Sequence, residues 1–78
     1  MVHDLLARIT CDPTVMGGRP CIRGLRVTVG TVLGLLAAGH SVEKILEEYP
    51  YLERDDIQAA LSYAAWRVEE AELPLKAS

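Results

Sequence analysis

Three arginines in a glycine-rich segment are the residues of this 78-residue chain best suited to bind another molecule. They are Arg19, Arg23 and Arg26, and Gly17, Gly18 and Gly24 lie among them. A guanidinium can donate two parallel hydrogen bonds to a carboxylate or a phosphate. The pattern therefore leaves two interpretations open: a structural arm in which the glycines provide turns, or a recognition arm whose arginines contact anionic groups.

Catalysis and metal binding find little support in the remaining residues. The glycine-rich segment lacks the Gly-Lys-Ser/Thr sequence of a phosphate-binding loop. His3 and His40 are isolated, and no nucleophile is paired with a base. Cys11 and Cys21 are interpreted as reduced thiols that serve as small apolar groups, as in cytoplasmic proteins. We expect a non-catalytic protein with no metal ion and no cofactor.

A second candidate set lies at the start of a helix predicted from about residue 54. Arg54, Gln58 and Ser62 would share its exposed face, and arginine and glutamine can bind the base edges of DNA. Three carboxylates flank this end, at positions Glu53, Asp55 and Asp56. Because carboxylates repel phosphates, the pattern favours a solvated or protein-facing surface over a DNA-binding one.

Apolar residues near the end of the sequence form a third candidate set. Trp66 is the only tryptophan and is typical of either a cap on the core or an anchor in an interface. Leu73 and Leu75 flank Pro74, which cannot continue a helix. Such a segment either docks on a partner chain or frays.

Length and composition limit the architecture. A chain of 8.5 kDa allows one domain, residues 1–78, and its marginal core predicts a homodimer. The net charge of −3 argues against a protein wrapped in nucleic acid, although the first 40 residues carry four arginines against two aspartates. No signal peptide is visible, and the longest uncharged run, Val27–Ser41, is too short to span a membrane. We expect a cytoplasmic protein.

The spacing of apolar residues predicts a mainly α fold with a short β-arm. Strands are expected within residues 5–11 and 25–29, joined by the glycine-rich segment. Helices are expected at about 28–38, 42–48 and 54–70. The chain then divides into a β-arm at 5–29, a three-helix unit at 28–70 and a tail at 71–78. A short helix followed by a longer one has the anatomy of a helix-turn-helix.

The arginine-rich segment also carries a family resemblance. Asp12-Pro13 and then Gly17-Gly18-Arg19-Pro20-x-Ile22-x-Gly24-x-Arg26-Val27-x-Val29 resemble a small prokaryotic family catalogued as domain of unknown function 433. Later matches are Gly39-x-Ser41, Tyr49-Pro50-x-Leu52 and Ala59-Ala60-Leu61-x-Tyr63-Ala64, so the resemblance covers roughly Ile9 to Ala65. The sequence departs from the family at Leu25, where threonine is usual, and at Glu53, where a small hydroxyl residue usually caps the last helix.

Members of that family look like VapB-type antitoxins with a homeodomain-like helix-turn-helix. The resemblance implies an antitoxin that inhibits a PIN-like ribonuclease toxin, whose Mg²⁺ site is a cluster of acidic side chains. We expect Arg19, Arg23 and Arg26 to contact that partner, with Trp66, Leu73 and Leu75 contributing apolar contacts. Autoregulation through operator DNA is a further expectation. The alternatives are a stand-alone helix-turn-helix transcriptional regulator, with Arg54, Gln58 and Ser62 on DNA, and a purely structural adaptor.

Overall fold

Within residues 5–71, the three main helices are preceded by a short two-stranded antiparallel sheet. A computed structural model describes residues 5–71. Strands β1 (Ile9–Thr10) and β2 (Cys21–Ile22) form the sheet. Helices α1 (Val29–Ala37), α2 (Val42–Glu48) and α3 (Arg54–Ala71) follow. The expected mainly α class is confirmed, and all three helices lie within one residue of their predicted bounds.

The β-arm differs from the sequence prediction in its second strand. Ile9 pairs with Ile22 and Thr10 with Cys21, whereas the strand expected at residues 25–29 is reduced to a single antiparallel bridge between Thr28 and Cys21. The backbone reverses in a tight turn, in which the N–H of Leu25 donates to the carbonyl of Ile22 at 2.7 Å. Residues 25–27 then lead to Thr28, the N-cap of α1. Val27, Thr28 and Val29 are all buried. The Val27 carbonyl accepts from the Ile22 N–H at 3.0 Å, so this segment lies beside β2 before the helix begins.

The turn between Ile22 and Leu25 has an uncommon backbone. Its two central residues, Arg23 and Gly24, have φ angles of +46° and +71°, as a type I′ turn requires. Glycine adopts this region freely, whereas an arginine there carries steric strain of about 1 kcal/mol or more. The position of Arg23 is therefore stabilised by contacts elsewhere, which are described below.

Side-chain hydrogen bonds cap the N-terminus of each of the three helices. Thr28 Oγ1 accepts from the Thr31 N–H at 3.0 Å at the start of α1, and Ser41 Oγ accepts from the Lys44 N–H at 3.1 Å at the start of α2. Glu53 was expected to make a weak cap for α3. Asp56 compensates, because its Oδ2 accepts from the Glu53 N–H at 2.8 Å, which is one half of a capping box.

An aliphatic core holds the helices together. Ile22, Val32, Ile45 and Ile57 are almost fully buried and belong to one cluster of side chains. α3 packs against α1, α2 and β1, so it connects the β-arm to the rest of the molecule. None of the helices within residues 5–71 combines the length and hydropathy needed to cross a lipid bilayer.

Candidate functional site

Arg23 does not extend into solvent but lies against the beginning of α3. Its Nε donates to Asp56 Oδ1 at 3.0 Å and its Nη2 donates to Asp56 Oδ2 at 2.9 Å. The same Nη2 also donates to the carbonyl oxygen of Tyr51 at 2.9 Å. This paired geometry is the strong form of an arginine–carboxylate contact, and it explains why an arginine is tolerated at a left-handed position of the turn.

Asp56 is the centre of this cluster. Its side chain is fully buried, and it also accepts from Arg8 Nη1 at 2.8 Å and from the Glu53 N–H. Burial alone would raise the pKa of this carboxyl, but the hydrogen bonds from Arg23, the Glu53 N–H and Arg8 outweigh burial and hold the pKa below its usual range. The cluster ties β1, the turn and α3 together.

The expected three-arginine arm is therefore reduced to two free arginines. Arg23 is occupied within its own chain, so the idea that all three guanidinium groups face a partner is corrected. Arg19 and Arg26 are exposed, and neither lies within salt-bridge distance of a carboxylate in the part of the chain that the structure describes. Because Arg23 anchors the turn between them, the loop presents Arg19 and Arg26 on a fixed backbone.

A groove of about 610 Å³ opens beside Arg19. It lies between the Arg19–Pro20 segment, the first turn of α1 and the second half of α3. Its walls are largely apolar, with an arginine from the loop and one from α3. The lining comprises Arg19, Pro20, Thr28, Val29, Gly30, Thr31, Leu33, Tyr63, Ala64, Arg67 and Val68. A groove of this size and character can hold a short apolar segment that carries a negative charge.

Trp66 stands next to this groove. Its ring lies 5.9 Å from that of Tyr63, which lines the groove, and the two ring planes are inclined by 55°. The residue is 43% exposed, so it does not cap the core. Val68, on the same helix, is 70% exposed. Val68 lines the groove, whereas Trp66, two positions earlier on α3, faces another side of the helix and lies against Tyr63 at the edge of the groove. Leu73 and Leu75, the other two apolar candidates, lie outside the described residues.

The candidate DNA-binding residues lie away from this groove, on the first turns of α3. Arg54 Nη2 donates to Glu43 Oε2 at 2.9 Å, so its guanidinium is engaged on the surface with α2. Arg54 and Gln58 line a smaller cavity of about 270 Å³ that also includes Asp55. Ser62 is half-buried and does not line that cavity. The structure brings Arg54 and Gln58 together, next to carboxylates that were expected to repel the phosphates of DNA.

Sequence reasoning missed Arg8, Asp56, Tyr63 and Arg67. Asp56 had been interpreted only as a charge near the helix start, although it precedes buried Ile57 and lies one turn before buried Ala60. A carboxylate on a core-facing stripe needs cationic partners, and that signal pointed to the arginines of the β-arm. Tyr63 and Arg67 lie four residues apart on α3 and so share a face. No set of three metal-binding side chains is found among residues that the structure places.

Two comparisons relate this chain to known proteins. The family model described as "Protein of unknown function (DUF433)" matches residues 9–64. The "Uncharacterized protein y4eO" of Sinorhizobium fredii (strain NBRC 101917 / NGR234) is 46% identical over 56 residues, which are 72% of this chain and 25% of that relative. The match thus spans a quarter of the relative's length. No solved structure matches this chain.

Proposed function

The chain belongs to the DUF433 family, and we propose that it is a non-catalytic, cytoplasmic antitoxin that binds and inhibits a PIN-like ribonuclease. One observation carries the proposal: the Arg23–Asp56 pair fixes a loop that displays Arg19 and Arg26 with their guanidinium groups free of carboxylate partners among residues 5–71. A fixed loop loses little conformational entropy on binding, which favours affinity.

The chemistry of the displayed arginines fits the proposed partner. A metal-dependent ribonuclease concentrates carboxylates at its active site, and a guanidinium can bind a carboxylate through two parallel hydrogen bonds. An arginine placed there would occupy the position of the Mg²⁺ ion and stop RNA cleavage. Arg19 is the better placed of the two, because it also borders the apolar groove, where contacts with the ribonuclease would add affinity.

The exposed side chains of α3 support a protein partner more than a nucleic acid. Val68 lines the groove, and Trp66 is exposed next to Tyr63 at the edge of the groove. Arg54, which was a candidate for contacts with DNA bases, forms a surface ion pair with Glu43. A helix-turn-helix regulator that binds operator DNA through Arg54, Gln58 and Ser62 is the alternative function, and the succession of a short and a long helix supports it.

An inhibition assay tests the proposed function. The ribonuclease encoded beside this protein's gene is purified, and cleavage of a labelled RNA is followed in Mg²⁺ with increasing amounts of the chain. We expect inhibition by the natural chain and an inhibition constant at least about tenfold higher for the R19A/R26A double variant. Arg54→Ala is the matched control, because it removes an exposed arginine on another face, and it should inhibit like the natural chain.

Two results would refute the proposal in different ways. If the adjacent gene encodes no ribonuclease, or the purified pair shows neither a complex nor inhibition, the antitoxin function is wrong. If inhibition occurs but R19A/R26A inhibits as well as the natural chain, the arginines are not the inhibitory residues. Circular dichroism of each variant establishes that the helices are retained in both cases.

A further inference from the structure

We propose that the groove beside α3 binds an extended peptide segment of a protein partner, and that this segment carries a carboxylate next to aliphatic side chains. The inference rests on the proposed function for the identity of the partner, the ribonuclease. It adds the chemistry that the ribonuclease must present beside its metal site, because Arg19 borders the groove and its contacts must adjoin the occupant. It also gives a role to Arg67 and Gly30, which the proposed function leaves unassigned.

The charge of the groove favours an anionic occupant. Arg19 on the loop and Arg67 on α3 both line it, and no carboxylate lines it among the residues that the structure describes. Neither arginine forms a salt bridge with a carboxylate whose side chain the structure describes. A carboxylate bound in the groove would accept charge-assisted hydrogen bonds from either guanidinium and would reduce the repulsion between them. The occupant should therefore carry at least one negative charge.

The apolar walls of the groove require more than a charge. Val29, Leu33 and Tyr63 line the groove. The partly buried side chains of Leu33 and Tyr63 pack against the core while part of each remains accessible. Contact with aliphatic side chains would remove this apolar surface from water. Because free phosphate would leave the walls uncovered, the occupant should combine aliphatic side chains with its carboxylate.

Gly30 gives the groove a low wall that the fold itself does not require. A β-carbon built at this position would meet Thr28 Oγ1 at 3.7 Å, which is an ordinary contact, so the fold has room for a side chain there. Gly30 is exposed and is the second residue of α1, where the N–H has no intrahelical acceptor. The missing side chain therefore lets the backbone of another chain approach this N–H closely.

The groove is open along its rim. Five of its lining residues are exposed, namely Arg19, Gly30, Thr31, Arg67 and Val68. Sites for small molecules enclose roughly 70–90% of the ligand surface, and a groove with an exposed rim encloses less. An extended peptide can lie along such a groove, because its chain continues beyond both ends. The open rim therefore favours a peptide segment over a small carboxylate such as a fatty acid.

The first experiment uses nuclear magnetic resonance of the full, isotope-labelled chain, because this method detects the weak binding expected of a short peptide. The probe is the peptide acetyl-Ser-Leu-Glu-Leu-Ser-amide, in which glutamate carries the only charge, titrated to millimolar concentration. We expect saturable shifts of the amide signals of Gly30, Thr31, Ala64 and Val68, which line the groove. The same peptide with Gln in place of Glu, or with Ser in place of both Leu residues, should bind at least about tenfold more weakly.

Other ligands and variants of the chain complete this test. Octanoate represents a small carboxylate and tetrauridylate a nucleic acid, and both should bind the groove more weakly than the peptide. Arg67→Ala removes one cation and Gly30→Leu fills the groove, so each should raise the Kd of the peptide at least about tenfold. Arg54→Ala and Gly34→Leu are the matched controls, because neither residue lines the groove and Gly34 has open space around it. Circular dichroism checks that each variant keeps its helices.

The second experiment extends the test to the ribonuclease. Arg67→Ala and Gly30→Leu should raise the inhibition constant at least about tenfold. A saturating amount of either variant should still stop RNA cleavage, because Arg19 and Arg26 are retained. The two control variants should inhibit like the natural chain.

Four results would overturn the proposal. They are a peptide that shifts no groove signal, equal binding of the Gln peptide or of the peptide to the Arg67→Ala chain, binding of octanoate or tetrauridylate in the groove as tight as that of the peptide, and unchanged inhibition by both groove variants. Failure of the antitoxin function gives a different result. If the peptide binds the groove but no form of the chain inhibits the ribonuclease, the antitoxin function is wrong and the groove still binds an acidic, aliphatic peptide.

Discussion

Arg23 and Asp56, 33 residues apart in sequence, are joined by three hydrogen bonds between the guanidinium and the carboxylate, at 3.0, 3.3 and 2.9 Å. This pair connects a strained turn of the β-arm to the first turn of α3. It also removes one arginine from the surface that was expected to meet a partner. The pair therefore determines both the rigidity of the loop and which guanidinium groups the loop displays.

Replacement of Asp56 should destabilise the protein strongly. We expect Asp56→Asn to lower the free energy of unfolding by about 3 kcal/mol, the lower end of the cost of removing one partner of a buried ion pair, since Arg8 and Arg23 are partly exposed and can be hydrated again. Urea unfolding measures the change. Asp55→Asn, on the exposed neighbour, should change stability by less than about 1 kcal/mol. If the two variants lose the same amount of stability, the buried cluster contributes no more to stability than an exposed carboxylate does.

The free energy of unfolding should depend on pH in the acidic range because of the Asp56 carboxyl. The pKa of Asp56 is below its usual range in the folded chain, because hydrogen bonds to its charged form outweigh its burial. In the unfolded chain the pKa of this carboxyl is about 3.9. As the solution is acidified, the carboxyl is therefore protonated at a higher pH in the unfolded chain than in the folded chain. The free energy of unfolding should be steady above about pH 5 and fall increasingly as the pH drops through 4. Asp56→Asn should reduce this slope, and an unchanged slope in the variant would contradict the assignment.

The geometry of the Arg23 side chain should matter more than its charge. Lysine keeps the charge but cannot make the two parallel bonds to Asp56 and the bond to Tyr51, so Arg23→Lys should lose about 1 kcal/mol of stability. A double-mutant cycle with Arg23→Ala and Asp56→Ala should give a favourable coupling energy. Additive effects of the two alanine variants would indicate that the pair is not formed in solution. Arg26→Lys, at an exposed position of the same loop, serves as the control.

The two cysteines should differ in reactivity. Cys11 is exposed, whereas Cys21 is 1% exposed and its Sγ donates to the Arg19 carbonyl at 3.3 Å. A thiol reagent should modify Cys11 rapidly in the native chain and Cys21 only on unfolding. Cys11→Ser isolates the slow site. Rapid modification of the Cys11→Ser variant under native conditions would show that β2 is not packed as described.

A gel-shift assay decides the alternative function. We expect the chain alone to bind DNA from the region upstream of its gene weakly or not at all at physiological salt, because carboxylates surround Arg54 and Gln58. If specific binding is seen, Arg54→Ala and Gln58→Ala should weaken it, and Arg26→Ala, on the loop, should not. Tight, sequence-specific binding lost in R54A and Q58A would support the regulator over the antitoxin.

The sequence by itself determined the helices and the family. Apolar spacing predicted the helices, because a helix is specified by residues within a few positions of one another. The same locality explains the error at residues 25–29. An alternating pattern does not indicate where strand pairing ends, and in this segment only Thr28 bridges another strand before the helix begins at Val29.

Only the tertiary structure decided which of the three arginines are paired with carboxylates among residues 5–71. Arg19, Arg23 and Arg26 are equivalent in the sequence, and the difference arises because α3 brings buried Asp56 next to the turn and requires a cationic partner there. The groove likewise depends on residues from three separate segments, so no local pattern predicts it. Pairings over long sequence distances are set by how the helices pack, and that packing is not encoded in any single stretch of the chain.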